Sequence, residues 1–411
     1  MPILMQVSDL EPGMILARNL VNKFSVLLPH GRRLNDCDIQ VLLRRYPDLM
    51  VQIIDPVLDE IVDFQDTSRE QEVSQEVRRN IAEVTKKVST MVRSGVTLEA
   101  KNISGIQEVM SSMMEYLKNN QVTMAVIESS GSWNDYLQEH SANVFYLCLL
   151  IGNTIRNYIK QERERLTAAK AISHGLNLAP LGAAAMFHDI GMVPIDKLYS
   201  KSGPLTNEEI EQIRAHPTQG AQMLPEKIDP MVRQIIRQHH ENQDGSGYPE
   251  GLPGDRLNIF ARILRVADAY SAAIATRVFQ KAKSPIRALY EMLYSNCNVL
   301  YDPVVLKVFA SIVQPLPVGA KLKLSTGRWA VVVRHNRHNP FAPDIIVAFD
   351  ELGDPLSKNQ LEKPFSLGEK KDVEVVSFGT EDLSYINGIE NLEGLEHIEN
   401  RSADIFDFMF P

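Results

Sequence analysis

Along the first 60 residues, short β-branched or apolar runs (Met14–Leu20, Ser25–Leu28, Val51–Ile54) are split by turn signals at Pro12-Gly13, Pro29-His30-Gly31 and Tyr46-Pro47. This spacing predicts a small mixed domain of short strands, with a helix over Asp36–Arg45 between them. The texture then changes. Val73, Val77, Ile81, Val84, Val88 and Met91 recur every three or four residues with charge between them, the period of an amphipathic helix. Its apolar stripe predicts packing on the protein or on a second copy, so a homodimer through this helix is a candidate assembly. Residues 136–316 read as almost all helix, with helical spacing over 141–160, 163–174, 178–190, 207–223, 229–239, 258–276 and 284–295. Thr206 before Asn207-Glu208-Glu209 marks one N-terminus. The loop Gln243–Leu257 is too rich in Gly and Pro to be helical throughout. After Pro317 short strands are expected around Leu322, Leu324, Trp329–Val333 and Ile345–Phe349. From Phe378 onward eight acidic residues accompany one Arg, which predicts a solvated tail. The expected division is therefore 1–62, a small α/β domain; 63–135, a helical linker; 136–316, a helical domain; 317–377, a small β domain; and 378–411, an acidic tail.

Composition narrows the classes. The chain has 411 residues, 44% hydrophobic and 23% charged, which fits a globular protein and excludes a fibrous or disordered one. With 52 acidic against 43 basic residues, the net charge is −9, and no DNA-binding face is expected. Residues 136–316 hold 19 Lys and Arg against 17 Asp and Glu, a near-neutral stretch compatible with an anionic substrate. Cys37, Cys148 and Cys297 match no disulfide or zinc spacing, which points to a reducing cytoplasm. No secretory signal pattern opens the sequence, and its longest apolar runs fall short of the roughly 20 residues of a membrane span.

Six of the ten histidines lie in the helical stretch: His140, His174, His188, His216, His239 and His240. A lone histidine is more often a hydrogen-bonded core or surface residue than a ligand, but the contexts here differ. His188-Asp189 follows the apolar run Leu181–Phe187, where an isolated charge would be expensive to bury. Neighbours on a helix diverge by about 100°, so such a doublet serves two ions better than one. His239-His240 repeats the pattern, and Asp268 sits among Ala, Val and Ile in RVADAYSAA. The set His140, His188, Asp189, His216, His239, His240 and Asp268 thus signals two metals. Imidazole with carboxylate suits Fe, Mn or Zn rather than Ca or Mg.

The run HHENQDGSGYPEGL from His239 to Leu252 closely resembles the signature of the HD-GYP hydrolases. So do Ala261–Arg277, Ala183–Gly191, Pro204–Gly220 and Tyr136–Val144, in the family's order across 136–316. The flanking segments resemble small domains that often accompany HD-GYP domains. The resemblance implies a mainly α fold, with an HD-superfamily helical bundle core between a small N-terminal mixed domain and a small C-terminal β appendage. It implies a metal-dependent phosphodiesterase of bacterial signalling that cleaves cyclic di-GMP, with the mixed cyclic GMP-AMP as an alternative substrate. The same seven residues are the implied ligands, with Asp189 bridging two divalent ions, Fe or Mn, and an activated water as nucleophile. Members with three metals carry Glu four residues before the first metal histidine; here that place holds Tyr136. Arg277 is the implied phosphate contact; Tyr248 and Lys281 are further candidate substrate contacts, Lys281 and Lys283 lying close enough in sequence to replace a lost basic residue. Gly247, Tyr248 and Pro249 form the loop implied to gate substrate or dock signalling partners. Two departures stand out. Met192 replaces a Lys that helps hold the phosphate or its attacking water, and Val278-Phe279-Gln280 replaces Pro-Tyr-Arg/Lys. A thioether can neither donate a hydrogen bond nor neutralise charge. These losses keep a second reading open, a non-catalytic receptor that binds the dinucleotide and reports it to a partner. A third, a hydrolase of other nucleotides, leaves the GYP loop unexplained.

Overall fold

The computed structural model describes residues 2–22, 25–47, 49–54, 68–99, 133–166, 177–199, 201, 203–275, 282–294, 300–336, 338–370, 372–387 and 389. Arg277, Lys281, most of the helical linker and the end of the acidic tail lie outside them. The described residues form two compact units. One combines the N-terminal segment up to Arg69 with the segment from Gln314 onward; the other runs from Glu70 to Val313.

In the first unit, β1 (Pro2–Gln6) pairs antiparallel with β4 (Met50–Ile54), β2 (Leu20–Asn22) with β3 (Ser25–Leu28), and α1 (Asp36–Arg45) stands between. The α1 start is fixed locally: the Asn35 side chain accepts from Asp38 N at 2.9 Å, and the Asp38 carboxylate accepts from Asn35 N at 3.3 Å. A six-stranded antiparallel sheet follows, ordered β10-β9-β5-β6-β7-β8. Its members are β5 (Lys321–Leu324), β6 (Trp329–Arg334), β7 (Asp344–Phe349), β8 (Phe365–Ser366), β9 (Val375–Phe378) and β10 (Glu381–Asp382). Ile3 packs with Val331, Ile346, Ala348 and Phe349 in one core. Leu4 N donates to Gly319 O at 2.7 Å. The two ends read as separate domains in the sequence thus share a core. The sheet also runs past 377: Leu383 and Ile386 are buried, and Asn387 exchanges hydrogen bonds of 3.1 and 2.8 Å with the backbone of Val375. The acidity of this stretch hides the two apolar anchors that dock it.

The second unit is helical. Helix α2 (Ser68–Arg93) opens it, with Ile81 and Val88 fully buried within the chain. Then come α3 (Trp133–Thr154), α4 (Arg156–Leu166) and α5 (Ala179–Phe187). A 3₁₀ turn over Ile190–Ile195 leads to α6 (Asp196–Tyr199), α7 (Asn207–Arg214), α8 (His216–Met223) and α9 (Pro230–Gln238). The unit ends in α10 (Ile259–Ile274), α11 (Pro285–Tyr294) and α12 (Pro303–Ile312). Helix α5 is apolar all round and buried from Pro180 to Phe187, which makes it the centre of the bundle, against α3 and α9. The single helix expected over 207–223 breaks at Ala215, because Pro217 suits only the first turn of a new helix. The α7 start carries the capping pair expected of Thr206, with Glu209 as its partner.

A buried ion cluster ties the far side of the bundle. Arg262 on α10 donates to Asp302 at 2.7 Å and also pairs with Glu162 on α4. Asp302 in turn accepts from Tyr158 at 2.9 Å and caps α12 through Val304 N and Val305 N. Removing one partner of a buried pair costs about 3–5 kcal/mol, because the other charge is left uncompensated. Arg262→Met should therefore destabilise the protein by roughly 3 kcal/mol in denaturant unfolding. A loss within the range of a surface substitution would show that water already reaches this cluster.

Candidate metal centre

The seven side chains singled out in the sequence converge in the helical unit from five places: α3, the turn after α5, α8, the end of α9, and α10. Three histidines are aimed by the same device. Each ends or begins a helical turn, and its Nδ1 donates to the carbonyl three residues earlier. The pairs are His188 to Ala185 O at 2.9 Å, His216 to Ile213 O at 2.6 Å, and His239 to Ile236 O at 2.6 Å. A carbonyl can only accept, so Nδ1 carries a proton in all three rings, and Nε2 is the atom turned to the centre, with a lone pair whenever the ring is neutral. His140 is held differently: Nδ1 lies 2.9 Å from Ser271 Oγ, and Nε2 lies 3.0 Å from Asp268 Oδ1. The Tyr136 ring stacks on His140, with centroids 5.2 Å apart.

Asp189 stands between two halves. Its Oδ1 is 3.3 Å from His216 Nε2 and 4.0 Å from His239 Nε2. Its Oδ2 is 3.6 Å from His188 Nε2 and 3.8 Å from His140 Nε2. Asp268 lies 3.7 Å from His188 Nε2 and 3.9 Å from His240 Nδ1. Two groups follow, Asp189 with His216, His239 and His240, and Asp189 with His140 and His188, each with ligand atoms within 4.8 Å of one another.

The donor set fits divalent metal ions. His216 Nε2 and His239 Nε2 face each other at 3.2 Å, although both Nδ1 atoms are already donors. Two neutral imidazoles in those tautomers would oppose lone pair to lone pair, so a cation has to sit among them. Burial, then the charges of His216 and His188, hold His239 down at about 3, so that ring offers its Nε2 lone pair to a metal ion at neutral pH. Burial also lowers His140 and His240. His188 runs the other way: burial would lower it, but Asp189 and Asp268 outweigh burial and push it up to about 9. Burial alone would raise both carboxylates; the surrounding imidazoles hold them well below the usual range.

The approach of the two halves rests on glycine. A Cβ on Gly191 would lie 2.2 Å from His216 O and 2.8 Å from Gly220 N. Only a residue without a side chain lets the Asp189 turn reach α8. The GYP loop is clamped just as tightly. Glu241 is buried, and its two carboxylate oxygens accept from Glu250 N at 2.7 Å and Leu252 N at 3.0 Å. Tyr248 N donates to His240 O at 3.1 Å, and the Tyr248 ring stacks on His240 at 4.8 Å. Gly247 lies against the backbone of His240 and Glu241, and Pro249 follows Tyr248. Met192, which replaces the expected Lys, is fully buried in the 3₁₀ turn. Sequence reasoning missed Glu241, Ser271 and Arg265. Ser271 and Arg265 stand three residues either side of Asp268, on one face of α10, which is the signal that would have found them.

Two outcomes follow. Gly191→Ala should push α8 from the Asp189 turn and weaken metal binding by about 10–100-fold, the cost of disturbing groups that orient ligands; competition against a chelating dye measures it. Metal competes with the His188 proton, which is bound below about 9. Apparent metal affinity should therefore rise with pH and level off above that value. Calorimetry at neutral pH in two buffers of different ionisation enthalpy should show proton release, and identical heats would contradict it.

Residues 151–305 match the family model for the HD domain. Six of the seven clustered side chains fall inside that stretch, and His140 precedes it. Among curated relatives, a cyclic di-GMP phosphodiesterase of Pseudomonas aeruginosa is 34% identical over 171 residues, 41% of this chain and 41% of the relative. A cyclic di-GMP phosphodiesterase of Thermotoga maritima is 29% identical over 208 residues, 47% of this chain and 55% of the relative. A 3'3'-cGAMP-specific phosphodiesterase of Vibrio cholerae is 32% identical over 126 residues, 30% of this chain and 27% of the relative. The chain thus spans about half or less of the length of these relatives. Over residues 151–305 it is similar to the HD domain family, and its curated relatives there are cyclic-dinucleotide phosphodiesterases.

Proposed function

We propose that this chain is a metal-dependent phosphodiesterase that hydrolyses cyclic di-GMP, in the bacterial cytoplasm where that messenger acts. The observation that carries the reading is the split of Asp189, whose two oxygens face two separate sets of imidazoles. His140, His188 and Asp268 would hold one divalent ion, and His216, His239 and His240 the other, with Asp189 common to both. Fe or Mn suits such nitrogen and carboxylate donors. Bound ions supply Lewis acidity toward a phosphoryl oxygen and make water acidic enough to attack near neutral pH.

The chain's own residues do the rest. The carbonyls of Ala185, Ile213 and Ile236 fix three ring orientations before substrate arrives, so no reorganisation is needed during reaction. Tyr248 covers one face of His240 and walls the site with the loop behind it. That loop is also the candidate surface for signalling partners. Arg277 and Lys281 are the proposed phosphate contacts from the sequence. The relative specific for 3'3'-cGAMP supports the mixed dinucleotide as the second substrate to assay. No helix among the described residues is long and apolar enough to cross a membrane.

Turnover of cyclic di-GMP by protein loaded with Fe or Mn tests the reading, together with elemental analysis expected to give two equivalents. Asp189→Asn keeps the shape but loses the charge. It should lower turnover by at least about 10³-fold and reduce metal content. Binding of cyclic di-GMP without metal-dependent cleavage would instead make the protein a receptor.

A further inference from the structure

The sequence leaves one electrostatic role vacant, because the family's Lys is Met192 here and Met192 is fully buried. Among the described residues a cation for the phosphate has to come from elsewhere, beside the Arg277 and Lys281 proposed from the sequence. The geometry points to Arg265 as a substrate phosphate contact at the open side of the metal centre, an inference that rests on the phosphodiesterase reading above.

Four observations carry it. The imidazole ligands are not equally enclosed: the His240 side chain is 23% exposed, against 0–1% for His140, His188, His216 and His239. Substrate must therefore enter past His240. Arg265 stands at that side: it is three residues before Asp268 on α10, the same face, and its charge is felt by both His240 and Tyr248. Its guanidinium is held in place without being neutralised. Nε donates to Asn242 Oδ1 at 3.1 Å, and the group lies over the Tyr301 ring at 5.2 Å. Among the described residues it pairs with no carboxylate. Arg262, one turn earlier on the same helix, shows the contrast, with Asp302 and Glu162 both bound to it.

A half-buried guanidinium that is oriented but carries no counter-charge is arranged for an anion. Asn242 occupies Nε and Tyr301 also hydrogen-bonds the guanidinium, which leaves the remaining N–H donors of the terminal nitrogens for a phosphate. Asn242 is also tied to the GYP loop, since its amide donates to Ser246 Oγ at 3.0 Å. The loop and the cation are thus set together.

The test compares binding, not only turnover. Phosphate and cyclic di-GMP are titrated separately into metal-loaded parent, Arg265→Gln, Arg265→Met and Arg265→Lys, after metal content and melting temperature are matched. Both neutral variants should bind both probes at least about tenfold more weakly, and Arg265→Lys should recover part of the loss. Two neutral replacements of similar length guard against one failing to fold. The inference is overturned if either neutral variant binds both probes like the parent, or if Lys loses as much as Gln. Parental turnover separates the two failures. A parent that never cleaves cyclic di-GMP rejects the phosphodiesterase reading, while the affinity differences still decide whether Arg265 holds phosphate.

Discussion

Burying Asp189 among imidazoles is the constraint on which the helical unit depends. A carboxylate so enclosed, with its side chain only 14% exposed, is costly to hold alone, and four histidine nitrogens within 4.0 Å offset it. Those imidazoles in turn present lone pairs to one another and need cations between them. Neither half of the site is therefore stable on its own terms. Each needs the other and the charge that both would hold.

The surrounding fold meets that constraint with backbone rather than with more side chains. Three carbonyls choose the tautomers of three rings. Gly191 lets one backbone lie on another, so that the distance between the halves is set by contact between main chains. Glu241 does for the GYP loop what the carbonyls do for the rings: it spends a buried charge on two amides and fixes where Tyr248 lies. The ion cluster around Arg262 anchors α10 from behind, on the helix that carries Asp268 and Arg265.

Much of this was legible in the sequence, for a physical reason. Metal ligands are a matter of residue type in an apolar context, and His188-Asp189 after Leu181–Phe187 declares itself. Caps are local too, so Asp36–Arg45 and the start at Thr206 could be read directly. What depends on distant partners could not. β1 is five residues long, and its pairing with β4 and its core with β6 and β7 lie far along the chain. The break at Ala215 was written in Pro217, but the strong apolar period across it argued for continuity. Arg265 looked like any charge on the polar side of a helix; only its place opposite Asn242 and beside His240 gives it meaning. Arg277 and Lys281 lie outside the described residues.

The shared core of Ile3 with β6 and β7 has a consequence for how the protein is made. A ribosome delivers Ile3 first, then the whole helical unit, and only afterwards the strands that cover it. The described residues of the helical unit all lie between Glu70 and Val313, so they can pack together while the chain is still emerging. The first unit cannot, because its opening strand must wait more than 300 residues for the residues it packs against. In topology the helical unit is an insertion within another domain. A message cut short after the helices would release the clustered histidines joined to an N-terminal strand whose Ile3 lacks its cover, an apolar edge open to aggregation.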